Sequence, residues 1–166
     1  MATGDHHRSG GFTYLALLFV TAIIGIAAAA TATVWHLEVQ REKEQELLFV
    51  GNEFRAAINR YWATSPPAAR RYPTRLADLL LDERFAEKRR HLRRIYVDPM
   101  TGKDDWALVR LKDGQIIGVR SLSEAKPLKQ AGFRIRDEGL AGKSRYADWL
   151  FIATPPAATT ARVAAR

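Results

Sequence analysis

An uncharged stretch of 24 residues, from position 12 to position 35, constrains this chain more than any other feature. It reads FTYLALLFVTAIIGIAAAATATVW, whereas every later window of that length carries several charged residues. As a helix with a rise of about 1.5 Å per residue, it can cross a hydrocarbon core about 30 Å thick. A helix is also the only single segment that satisfies its own backbone hydrogen bonds in lipid. We therefore predict a membrane helix over residues 12–35.

The polar leader before this stretch ends in Gly10 and Gly11, directly against Phe12. Glycine followed by Phe-Thr-Tyr-Leu-Ala-Leu-Leu at such a junction resembles the class III signal of type IV pilins and type II secretion pseudopilins. The resemblance implies that a prepilin peptidase cuts after Gly11 and methylates Phe12, so that residues 1–11 are lost as a leader. The family usually carries a Glu where this chain has Ala16. The sequence is therefore as compatible with a minor subunit of the filament as with the principal one. Secretory cleavage near Ala32 is the alternative.

The residues after the apolar stretch keep a helical pattern. Apolar side chains recur at spacings of three and four, which is typical of one buried helix face, at Leu47, Val50, Phe54, Ile58 and Tyr61. The sequence Ser-Pro-Pro at positions 65–67 ends the helix, because proline disfavours helix at the preceding residue. We expect one helix from the apolar stretch to about Trp62.

The second part of the chain carries strand and turn signals. A short Leu-rich helix follows Thr74, and strands are predicted over residues 95–97, 106–111, 116–120 and 146–152, with Asp113 and Gly114 turning a hairpin. A long helix followed by a small antiparallel sheet is an α+β layout. Residues 98–133 are also similar to a subgroup of major-pseudopilin-like proteins, which implies a pilin-like lollipop with a globular domain over residues 36–153. Residues 154–166 have little to bury, and we expect disorder there.

The formal charge of +8 is concentrated in one region. Residues 70–94 contain nine Lys and Arg against four Asp and Glu. Within the run at 88–94, the candidate anion-binding side chains are Arg89, Arg90, Arg93 and Arg94. They could grip phosphates of DNA or of lipid headgroups, or they could form a solvated face against acidic patches of neighbouring subunits. We disfavour nucleic acid, since Tyr96 is the one aromatic residue that the sequence places close by.

The chain offers little for catalysis or metal binding. It has no cysteine, and its four histidines have no nucleophile and orienting carboxylate beside them in sequence, so we do not expect an enzyme. Members of the family can hold calcium, but the aspartates here match no ligand series and read as turn residues, so we predict no metal or cofactor. Small residues at helical spacing predict close helix packing in lipid at Gly25, Ala28, Ala29 and Ala32.

The resemblance implies a pseudopilin of a type II secretion system, anchored in the inner membrane with its N-terminus in the cytoplasm and its domain in the periplasm. Its partners would be other pseudopilins, the inner-membrane assembly platform, the prepilin peptidase and membrane lipid. The alternatives are a minor type IV pilin for DNA uptake or adhesion, and a membrane-anchored periplasmic binding module without a filament role.

Overall fold

The computed structural model describes residues 10–154, with the side chains of residues 13–26 and 35–154. By its contacts the chain divides into two compact units, Met1–Gln40 and Arg41–Arg166. Helix α1 runs over Gly10–Ala63 and therefore contributes to both units. Its end at Ala63 agrees with the predicted stop before the two prolines.

In the first unit, the described part of α1 exposes its large apolar side chains. Their exposed fractions range from 48% at Leu37 to 72% at Ile26. The hydroxyl of Thr21 donates to the backbone carbonyls of Leu17 and Leu18, at 3.0 and 2.9 Å, so this polar group is satisfied within the helix.

The second unit is α+β: the distal part of α1 packs on a small three-stranded antiparallel sheet. The predicted apolar stripe is confirmed, because its five residues are at most 5% exposed and belong to the core. After α1 come a 3₁₀ turn at Pro67–Ala69 and the short helix α2 at Ala77–Leu80. The carboxylate of Asp78 accepts hydrogen bonds from the backbone N–H groups of Thr74 and Arg75 at 3.1 and 2.9 Å, just before α2 begins.

The sheet has the order β1-β2-β3, with β1 at Ala107–Arg110, β2 at Ile116–Arg120 and β3 at Phe151–Ile152. The predicted hairpin is confirmed: Leu108 pairs with Val119, and Gly114 turns the chain with a φ of +83°. The predicted strand at 95–97 is absent from the described backbone, and the one at 146–152 is a 3₁₀ turn at Tyr146–Asp148 followed by β3 alone.

Gly51 allows α1 to lie directly on Phe151 of the sheet, and Gly118 allows β2 and β3 to approach each other closely. A Cβ at Gly51 in α1 would lie 2.5 Å from ring atoms of Phe151, and one at Gly118 in β2 would lie 2.6 Å from the carbonyl oxygen of Phe151. Both separations are below any ordinary contact, so larger residues would push the helix or β3 away. Phe151 is fully buried between these positions.

Candidate functional site: the basic loop

The loop after α2 carries the predicted basic run, and we call residues 82–96 the basic loop. It is tied at its base, because the backbone N–H of Asp82 donates to the carbonyl of Arg89 at 2.9 Å. The N–H groups of His91 and Leu92 both donate to the carbonyl of Leu79 in α2, also at 2.9 Å. These bonds fix which side chains of the run turn inward and which turn outward.

A buried carboxylate organises the inner side of the loop. Asp82 is 1% exposed, and its two oxygens accept hydrogen bonds from Nε and Nη2 of Arg84 at 2.7 and 2.6 Å. Nε2 of His91 lies 3.0 Å from the same carboxylate. Burial raises the pKa of Asp82, but the hydrogen bonds from Arg84 and His91 outweigh it and hold the pKa below its ordinary value.

Arg84 joins this carboxylate to the end of α1. Its guanidinium lies 3.6 Å above the ring of Tyr61 and donates to the Tyr61 carbonyl at 3.0 Å, and it also contacts the hydroxyl of Ser65. The bond to Asp82 raises the pKa of Arg84, while burial raises the pKa of Tyr61. Arg84 therefore serves the fold: its charge is neutralised by Asp82 and its donors are used within the domain.

His91 belongs to this inner cluster rather than to a basic surface. It is 6% exposed and packs edge-on against Tyr61 with ring centroids 5.4 Å apart. Arg60 donates to its backbone carbonyl at 2.6 Å. Ser65, the nearby hydroxyl, is bonded to Arg84 and to backbone carbonyls, so the cluster does not join a hydroxyl to the histidine.

The four predicted anion-binding arginines lie on the outer side of the loop, and all four are exposed. The guanidinium of Arg89 lies 4.2 Å from the ring centroid of Phe85, and that of Arg94 lies 5.2 Å from that of Tyr96. Within the described residues, no hydrogen bond or ion pair engages the side chains of Arg89, Arg90, Arg93 or Arg94. The structure thus brings the four together as free donors on either side of the buried pair at 91 and 92.

The contact between Phe85 and Arg89 was not predicted from the sequence. Neither was the division of the run 88–94 into inner and outer residues. Phe85 is four residues before Arg89, a distance at which a turn can bring an arginine over a ring. The distance between Asp82 and His91 in the sequence gave no comparable signal, because their contact depends on the hydrogen bonds to Leu79.

The remaining buried carboxylates are all occupied by hydrogen bonds inside the domain. Glu44 accepts from the N–H groups of Leu128 and Lys129 at 2.6 and 3.2 Å. Asp98 accepts from the Ser121 hydroxyl at 2.6 Å, and Asp137 binds Arg55 at 2.7 Å. Among the residues that the structure describes, no cluster of His, Asp and Glu has the arrangement of a metal site.

Several predicted sites lie wholly or partly outside the description. The side chains at the predicted cleavage position, Gly11 and Phe12, are not described, nor are those of Ala28, Ala29 and Ala32. Gly25 is described, and an added Cβ there would meet no atom within 4 Å. The leader up to residue 9 and the tail from residue 155 also lie outside.

The predicted membrane segment 12–35 includes residues 27–34, whose side chains are not described. Within the residues that the structure describes, no helix is both long enough and apolar enough to span a membrane. No protein-family model, curated protein or solved structure matches the chain.

Proposed function

We propose that the chain is a pseudopilin of a type II secretion system, a subunit that assembles through its N-terminal helix into a periplasmic filament that drives protein export. The observation that carries this proposal is the contrast along α1. Residues 14–26 expose every large apolar side chain, whereas the stripe from Leu47 to Tyr61 is buried in the domain. Among the described residues of the first unit, nothing covers these exposed apolar side chains. Such a helix surface needs lipid or neighbouring helices around it.

Two details support a membrane-embedded helix that packs against the same helix of other copies. The Thr21 hydroxyl bonds to its own backbone, as a polar group in hydrocarbon must. Gly25 leaves open space for the close approach of another helix. In the second unit, the helix on a small antiparallel sheet is compatible with the pilin-like lollipop that the resemblance implies.

In this proposal the N-terminus stays in the cytoplasm, the prepilin peptidase removes residues 1–11, and Phe12 becomes the methylated first residue. The domain lies on the periplasmic side of the inner membrane, and the assembly platform adds the subunit to the filament. The role is mechanical rather than enzymatic. A minor type IV pilin, or an anchored periplasmic binding module, would use the same domain differently.

The first experiment is the intact mass and N-terminal sequence of the membrane-extracted chain, expressed with and without a prepilin peptidase. We expect a peptidase-dependent start at Phe12 with one extra methyl group. Gly11→Leu should block this cleavage, and the matched change Gly10→Ala should leave it intact. A start after Ala32, or an uncut chain in both hosts, would exclude the pseudopilin and leave the binding module.

A second experiment tests the filament itself. Replacing Gly25 by Ile fills the open space on α1, so we expect fewer sedimenting filaments while cleavage after Gly11 is unchanged. Ile26→Leu keeps the apolar volume and serves as the control. Equal filament yields from the Gly25→Ile variant and the wild type would show that filament assembly does not require close helix packing at Gly25.

A further inference from the structure

We infer that the basic loop binds single-stranded nucleic acid through Arg89, Arg90, Arg93 and Arg94, whose guanidinium groups are exposed and unpaired among the described residues. It reverses the expectation drawn from the sequence, which counted Tyr96 as the one aromatic residue close by, because the structure adds Phe85 beneath Arg89. The inference concerns the surface of the second unit and does not depend on the filament role proposed above.

The first argument is the state of the donors. Three other arginines of the domain bind carboxylates of the domain itself: Arg55 binds Asp137, Arg84 binds Asp82, and Arg145 binds Glu124 and Asp148. The four outer arginines of the loop keep their donors for a ligand. A guanidinium has five N–H donors and no acceptor, so a surface made of such groups fits a ligand whose outer atoms are acceptors. Phosphodiester oxygens are such acceptors, and arginine binds them in a bidentate manner.

The second argument is the position of the aromatic rings. Phe85 and Tyr96 are half-buried, and the exposed guanidiniums of Arg89 and Arg94 lie over them. A ring beneath a guanidinium holds that plane in place and leaves its other face for a base. Alternation of cationic and aromatic side chains is the usual construction of sites for single strands.

The third argument concerns the shape of the loop. His91 and Leu92 turn inward, so that two arginines lie before them and two after them. Arg89 and Arg93 are four residues apart, which limits their Cα separation to about 14 Å. A flexible strand can follow this path, whereas reading a duplex in its major groove requires a helix or a β-ribbon. The basic loop contains no named helix or strand.

The chemistry of the loop also distinguishes nucleic acid from an acidic protein. A protein interface has a desolvated centre with aromatic or aliphatic anchors. Here the exposed residues of the run 88–94 are all cationic, and its one aliphatic side chain, Leu92, is buried. Two exposed acidic residues, Glu83 and Glu87, flank the run and reduce the local charge without interrupting it.

The test uses the full chain in a nonionic detergent and a fluorescent single-stranded oligonucleotide of mixed sequence, read by polarisation. If all four arginines neutralise phosphates, the slope of log K against log salt is about −2.8, and affinity falls about 50-fold between about 50 mM and about 200 mM salt. Replacing the four arginines by alanine should abolish this slope and the binding.

The matched control removes four other exposed cations whose side chains have no hydrogen bond or ion pair within the described part of the chain, namely Lys103, Lys112, Arg134 and Lys143. It has the same net charge as the loop variant, and we expect it to retain the slope. Equal loss in both variants would overturn the inference, because binding would then follow net charge alone. Tighter binding of a duplex, or equal competition by poly-glutamate, would also overturn it. No binding by the wild type at low salt would exclude it while leaving the peptidase and filament experiments unaffected.

Discussion

Arg84 and the four outer arginines lie within eleven positions of one another, yet the domain uses them in opposite ways. Arg84 is 14% exposed in its side chain, binds a carboxylate through two nitrogens and covers a tyrosine ring. The outer four are exposed, and their side chains have no hydrogen-bonding partner in the described chain. A basic run is therefore not a single feature, since the backbone hydrogen bonds to Leu79 decide which of its residues belong to the core.

The largest effect should come from removing the carboxylate at the centre of the inner cluster. Asp82→Ala leaves Arg84 and His91 buried without their acceptor, so we expect a loss of about 3–5 kcal/mol in the free energy of unfolding. Denaturant unfolding of the full chain measures it. The exposed neighbour Glu83 provides the control, and Glu83→Ala should change stability by less than about 0.5 kcal/mol. A small loss for Asp82→Ala would mean that the inner and outer groups do not differ.

Arg84→Lys tests whether the planar guanidinium is required. A lysine keeps the charge but cannot form two parallel bonds to Asp82 while covering the Tyr61 ring, so we expect a loss of about 2 kcal/mol. The same substitution at Arg90, on the outer side, should leave the unfolding midpoint unchanged. Equal midpoints for the two variants would contradict the assignment of Arg84 to the fold.

Acid should weaken the inner cluster and leave the outer arginines unaffected. The pKa of Asp82 is lowered in the folded chain, because its hydrogen bonds outweigh the opposing effect of burial. Its contribution to stability is therefore complete above the unfolded pKa of about 4, and it is lost as pH falls towards the folded pKa. The slope due to this group is at most about 1.4 kcal/mol per pH unit. Asp82→Asn should show a shallower dependence of unfolding free energy on pH below about 4 than the wild type shows.

The smallest effect on stability should come from the outer arginines. Replacing all four by alanine removes no hydrogen bond or ion pair found in the described chain, so we expect a change within about 0.5 kcal/mol. The control with Lys103, Lys112, Arg134 and Lys143 replaced should behave alike in thermal unfolding. A strongly destabilised loop variant would show that the outer arginines support the fold, and the contrast with Arg84 would fail.

Periodicity predicted the parts of the fold that local spacing controls. The stripe on α1 and the hairpin around Gly114 are confirmed, since each depends on residues close together in the chain. The predicted strand at 146–152 was too long, because the backbone of Tyr146 and Ala147 bonds instead to Ala125 and Ser123. Those bonds join distant segments, and no periodicity of the strand itself can reveal them.

The same distinction applies to the site. The four outer arginines were identifiable from the sequence as a cluster of charge, and the structure places them on the surface. The inner cluster was not identifiable, because Asp82, Arg84 and His91 meet at Tyr61 only after α2 has positioned the loop. Charge patterns predict which residues are cationic; tertiary hydrogen bonds determine which remain available.

The contact between Gly51 and Phe151 has a consequence for biosynthesis. The two residues are 100 positions apart, so the ribosome must add 100 residues after Gly51 before the ring can cover the helix. Glu44 also depends on a residue that is made much later, since it accepts a hydrogen bond from the hydroxyl of Tyr146, 102 residues further along the chain. Until then the apolar stripe of α1 is uncovered during synthesis. This interval, rather than the finished domain, is when the chain is most exposed to aggregation and most in need of a chaperone.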